Sequence, residues 1–177
     1  MIMSEKNLSI FEQSVTETKA KRPKQIINHW KLFVDGAARN NPGPAGAGVY
    51  ITKNDKSEKK VGFYLGRKTN NQAEYGALLI GLYLLKKMMH EDDHLDIVSD
   101  SLLLVRQFQG EYRVKHPELK PLHLLAKKLI EGSHHSIAHV LREHNEIADE
   151  MANVGIDEKK SLPQDFITFL QEHDINW

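Results

Sequence analysis

Cysteine is missing altogether from the 177-residue chain. That excludes disulfides and thiolate metal sites, leaves oxygen and imidazole as the available metal ligands, and suits a reducing compartment. Also missing are any run of eighteen apolar residues and, near the start, an apolar stretch of signal-peptide length. The expectation is a cytoplasmic protein that does not engage a membrane. Net charge is missing as well: 24 basic and 24 acidic side chains cancel. No global field draws the chain to a polyanion, so nucleic-acid binding has to rest on local patches.

What is present suffices for one domain with tails, since 40% of the residues are hydrophobic. Residues 1–29 are polar, carry Lys19, Lys21, Arg22 and Lys24, and read as a flexible lead. Residues 30–157 hold the firm patterns, and residues 158–177 form a tail. In the tail Pro163 suits a helix's first turn, and Phe166, Phe169 and Leu170 give a short amphipathic helix that docks on the parent domain.

Within the domain, KLFVDG, AGVYITKN and KKVGFYLGR read as three strands with short connections, hence an antiparallel meander. NNQAEYGALLIGLYLLKKMM is a largely buried helix. LDIVS is a fourth strand, followed by a helix capped by Ser99 or Asp100 and a second helix closing at Gly132. SIAHVLRE is a fifth strand, and HNEIADEMANVG a helix ending at Gly155. The order βββαβααβα predicts an α/β fold with a mixed sheet covered on both faces.

Four acids fall in four different elements: Asp35 at the end of strand one, Glu74 early in the first helix, Asp100 after strand four, and Asp149 in the helix after strand five. Each has a plain alternative. Glu74 stands at capping-box spacing from Asn71, Asp100 suits an N-cap, and Asp35 suits a turn. Asp149 is harder to explain, because Asn145 and Asn153, four residues to either side, offer no ion pair. If strands one and four are parallel neighbours, Asp35 and Asp100 emerge together at the carboxyl edge of the sheet, where open α/β sheets bind ligands. Two carboxylates about 4 Å apart repel by roughly 4 kcal/mol at an effective dielectric near 20. Four converging acids therefore call for divalent cations, and hard oxygen ligands favour magnesium or manganese.

The segments VDGAARNNPGPAGAG, GRKTNNQAEYGAL, IVSDS and HNEIADEMAN, in that order between Lys31 and Val154, resemble type 1 ribonuclease H. Members of that family cut the RNA strand of RNA/DNA hybrids. The resemblance implies a ribonuclease H-like fold, a five-stranded mixed sheet with its first three strands antiparallel and helices on both faces. It implies Asp35, Glu74, Asp100 and Asp149 as catalytic, metal-binding carboxylates that hold two Mg2+ ions with substrate bound, with Mn2+ as a substitute. The products would carry 5′-phosphate and 3′-hydroxyl ends. It also implies hybrid contacts from Asn41, Asn70 and Asn71, and a phosphate grip from Arg67 and Thr69. A monomer without an obligate protein partner is expected.

The chain departs from the family pattern in three places. The family's loop histidine before the last aspartate has no clear equivalent: His139 falls inside strand five, and Arg142 and His144 stand nearer Asp149. Leu102 replaces a polar residue often found two positions after the third acid. The basic protrusion is absent, with Arg106, Tyr112, Arg113 and Lys115 in a short loop instead, and the lead shows no hybrid-binding module. Weaker, salt-sensitive substrate binding is the expectation. Two rival readings are a same-fold nuclease with broader substrates and a catalytically silent nucleic-acid-binding module. None of the four acids is lost, which argues against the second.

Overall fold

The computed structural model describes residues 27–177, so most of the expected N-terminal lead lies outside the described residues. Strands β1 (His29–Ala38), β2 (Gly43–Lys53) and β3 (Lys56–Lys68) are followed by α1 (Asn70–Lys86) and β4 (His94–Ser99). Then come α2 (Leu102–Phe108), α3 (Leu119–Leu129), β5 (His134–His139), a 3-10 turn (Arg142–His144), α4 (Glu146–Glu158) and α5 (Gln164–Gln171). The strands form one sheet in the order β3-β2-β1-β4-β5. The β1–β2 and β2–β3 pairs are antiparallel, and β4 and β5 join in parallel. This is the mixed sheet anticipated above.

Alternation sets the inner face of the sheet. Trp30, Leu32 and Val34 on β1 and Leu95 and Ile97 on β4 point into one core, against α1 and α3, while α4 lies across β2 and β3 on the other face. Helix α1 buries Ala73, Tyr75, Leu78, Leu79, Ile80, Leu82 and Leu85, which together cover more than one side of a helix. It can do so because the sheet covers one side and α3 and the tail cover the other.

The tail docks as expected. Phe166 and Leu170 of α5 are buried, as is Ile175 beyond it, and Phe166 and Phe169 pack at 5.1 and 5.0 Å from the Tyr83 ring. The Tyr83 hydroxyl donates to Asp165 at 3.0 Å. The amide of Tyr64 on β3 donates to the Lys160 carbonyl at 2.7 Å, tying the start of the tail to the sheet edge.

Some local boundaries differ from expectation. α1 is capped by Thr69, which accepts from the Gln72 amide while the Gln72 side chain accepts from the Thr69 amide; the capping box does not involve Asn71 and Glu74. Helix α2 is capped by Ser101, not by Ser99 or Asp100. The fifth strand begins at His134 and stops at His139, and α4 runs through Gly155 to end at Lys159 in the left-handed region.

A buried carboxylate closes the far end of the sheet. Asp93 accepts from the amide and side chain of Asn28 at 2.8 and 3.0 Å, from the Trp30 indole at 2.8 Å and from the His90 amide at 3.1 Å. Burial opposes its ionisation, but these four donors prevail and hold the carboxyl down at about 2, against an ordinary 3.8. A depressed acid stabilises the fold above its unfolded value, so about 2–3 kcal/mol is present above pH ~4 and lost as the pH falls toward 2. Asp93→Ala should cost about 3 kcal/mol at neutral pH in a urea titration, because it orphans buried donors. Asp93→Asn should remove the acid limb of the stability profile, and an unchanged limb would assign it to other groups.

Candidate active site

The four acids do converge. The parallel register of β1 on β4, Leu32 on Ile97 and Phe33 on Val98, carries Asp35 and Asp100 out of the ladder side by side. Glu74 reaches them because β1 and α1 touch through backbone. A Cβ on Gly36 would lie 2.1 Å from the Glu74 nitrogen, so only glycine permits the approach. Asp149 is brought in by the same device, since a Cβ on Gly48, the β2 partner of Asp35, would lie 1.8 Å from the Ala148 carbonyl oxygen of α4.

The electrostatics are those of an unbalanced anionic cluster. Burial, then the Asp100 and Asp149 carboxylates, push Asp35 up to about 7, against the opposing pull of the Arg142 guanidinium. Glu74 is held well above the usual carboxylate range by burial and by Asp35 and Asp100, with the Gly36 amide working the other way. Its Oε2 is buried and without a hydrogen-bond partner. Relocation of the capping box to Thr69 and Gln72 removes the plain structural explanation for Glu74.

Among the described residues, Arg142 supplies the cation in close contact with the cluster. It pairs with Asp149 and is held in its charged form by that carboxylate and by Asp35 and Asp100. The earlier expectation that Asp149 lacks an ion-pair partner at helical spacing holds only within the helix. The partner lies seven residues upstream on the 3-10 turn, which folds back over the start of α4. Among the described residues, no three acidic or histidine side chains are already drawn together as an ion's ligands. The donor set nonetheless fits a hard divalent cation: desolvated carboxylates that repel one another and a buried, unpaired oxygen on Glu74.

Comparison with known proteins bears directly on this constellation. Residues 33–155 match the family model described as "Reverse transcriptase-like". A ribonuclease H of Coxiella burnetii is 34% identical over 151 residues, covering 76% of this chain and 94% of that protein. Ribonuclease HI of Halobacterium salinarum is 37% identical over 128 residues, covering 71% of this chain and 63% of its own length. The crystal structure of LC11-RNase H1 in complex with an RNA/DNA hybrid superposes with a TM-score of 0.69 at 37% identity, covering 74% of this chain and 97% of that one. The chain belongs to the type 1 ribonuclease H family.

It spans less than two thirds of the halobacterial relative and only 35% of the matching mycobacterial proteins. As a type 1 ribonuclease H, it shows α2 and α3 joined by the short segment 109–118, where a basic protrusion would stand. The residues expected at the substrate fall into two groups. Asn41 and Asn70 knit the β1–β2 turn to α1: the Asn70 amide donates to Asn41 Oδ1 and the Ala38 amide to Asn70 Oδ1, both at 3.0 Å. Thr69, at the cap, and Arg67, exposed at the end of β3, flank them, and Asn71 is exposed on the first turn of α1.

Asn145 was not singled out from sequence. It is buried, and its Nδ2 donates to the Val34 carbonyl and to Asp100, both at 2.9 Å. It thereby ties the start of α4 to β1 and orients the third acid. The available signal was its place four residues before Asp149.

Proposed function

We propose that this chain is an endoribonuclease that hydrolyses the RNA strand of RNA/DNA hybrids. The observation that carries the reading is the convergence of Asp35, Glu74, Asp100 and Asp149 from four elements at the carboxyl edge of β1 and β4, with two of them desolvated and raised. Such acids cost stability unless a ligand compensates them. The same four carboxylates are the set that would hold divalent metal, Mg2+ with Mn2+ as substitute. When bound, the metal supplies an activated water and charge stabilisation at the phosphate.

The chain's own residues do the rest. Asn145 fixes Asp100, Gly36 and Gly48 fix the spacing of the acids, and Arg142 holds Asp149 before substrate arrives. Asn41 and Asn70 use their carbonyl oxygens on the protein, which leaves their NH2 groups to donate to sugar and base edges. Arg67 and Thr69, side by side at the end of β3 and the start of α1, suit a phosphate of the DNA strand. The hybrid bound in the LC11-RNase H1 structure supports the substrate class.

The test is cleavage of four labelled duplexes (hybrid, RNA/RNA, DNA/DNA and an RNA–DNA junction) with Mg2+, Mn2+ or chelator. The expected result is hybrid cleavage leaving 5′-phosphate ends, lost with chelator and falling steeply with salt. Absence of hybrid cleavage with both metals overturns the reading, and equal cleavage of RNA/RNA would replace it with a broader nuclease.

A further inference from the structure

The sheet carries a second group of metal-ligand chemistry, at the opposite end from the acids. His29, His94 and His134 stand in register on three adjacent parallel strands, His29 opposite His94 and His94 opposite His134. All three are exposed, on the face turned away from Trp30, Leu32, Leu95 and Ile97. The imidazoles form a row, with centroids 5.0 Å apart between His29 and His94 and 5.3 Å between His94 and His134. Asp96 lies two residues along β4 on the same face.

We infer that His29, His94 and His134 form a surface site for a transition-metal cation of the zinc, nickel and copper class. Imidazole nitrogen suits those ions, whereas carboxylate oxygen suits magnesium and manganese, so the two ends of the sheet select different metals. Two nitrogens bound to one tetrahedral zinc lie about 3.3 Å apart, given bonds of about 2.0–2.1 Å. As the rings stand, His29 is stacked on His94 and His134 is tilted against it, and among the described residues no three side chains converge on a point. Exposed side chains turn on the picosecond to nanosecond scale, and the ladder already fixes the backbones at adjacent-strand spacing. Rotation of the outer rings toward His94 therefore closes the site without moving the strands. His94 has a histidine on either side, which makes it the shared ligand of either pair. Six residues of extended β1 separate His29 from Asp35, so the two sites are roughly 20 Å apart.

The test is calorimetric titration of the full chain with ZnCl2 at neutral pH, in excess Mg2+ to compete at the carboxylates. One Zn2+ per chain is expected, with Kd about 10 µM or tighter. His94→Gln should weaken binding at least about tenfold, and His134→Gln should weaken it less, since it leaves the His29–His94 pair. His116→Gln, on an exposed loop away from the row, should change nothing. The melting temperature without zinc should be the same in all three variants. With Cu2+ as a second probe, electron paramagnetic resonance should show coupling to several nitrogens, reduced in His94→Gln. Unsaturable zinc binding, or binding equal in His94→Gln and the unaltered chain, would overturn the site.

Discussion

Asp35→Asn is expected to cleave hybrid at least about 10³-fold more slowly, a loss of about 4 kcal/mol of transition-state stabilisation. In the absence of metal it should also unfold at a higher temperature than the unaltered chain. The first effect follows, on the proposed reading, from loss of an anionic metal ligand at the centre of the cluster. The second follows from what surrounds that ligand: burial and two neighbouring carboxylates hold Asp35 at about 7 in the fold, against an ordinary 3.8. A raised acid binds its proton more tightly folded than unfolded, so its contribution to stability falls as the pH rises between those values.

At pH 8 the ionised Asp35 therefore strains the metal-free fold, and asparagine, which resembles the protonated acid, removes the strain. The gain should be about 4 kcal/mol, or roughly 10 °C, and should largely vanish near pH 4, where the folded-state carboxyl is protonated. Thermal unfolding in chelator at the two pH values measures it. A structural acid behaves in the opposite way, as Asp93 does, so a lower melting temperature for Asp35→Asn at pH 8 would take Asp35 out of the ligand set.

Phe166→Ala should cost about 4 kcal/mol, lowering the melting temperature by roughly 10 °C. The ring is 2% exposed and lies between Tyr83 on α1 and Phe169 on its own helix. Its loss leaves a cavity where the tail meets the longest helix of the domain. Truncation after Lys160 should do at least as much harm, because it also strips Leu170, Ile175 and the Trp177 ring that covers Gly76. An unchanged melting temperature in both variants would mean that α5 contributes nothing to the core.

The contrast between α5 and its receiving surface shows where sequence stops being informative. Phe166, Phe169 and Leu170 form a stripe that announces a docking helix. α1 is apolar nearly all round, so nothing in its pattern tells which side meets the sheet and which waits for the tail. The capping box fails for a similar reason. Thr69 with Gln72 and Asn71 with Glu74 both satisfy the three-residue spacing, and only the backbone decides which pair sits at the helix start.

The site was more legible than these details. Adjacency of two parallel strands is enough to place Asp35 beside Asp100, and the four family-like segments carried Glu74 and Asp149. What was not legible depends on contacts between elements distant in sequence or folded by irregular turns. Asn145 reaches Val34 across 111 residues, and Arg142 meets Asp149 only because the 3-10 turn doubles back. Helical spacing rules look three or four residues along a chain and see neither.

The glycine contacts at 36 and 48 tie the spacing of the acids to backbone. Glu74 is set against Asp35 by backbone pressed on backbone at Gly36, and the start of α4, which carries Asp149, is pressed on β2 in the same way at Gly48. Asn145 and Arg142 then hold the carboxylates of Asp100 and Asp149. On the proposed reading, in which these acids hold divalent metal, such a frame behaves like a wrench with its jaws forged in place, and cations too large for it should bind without supporting cleavage.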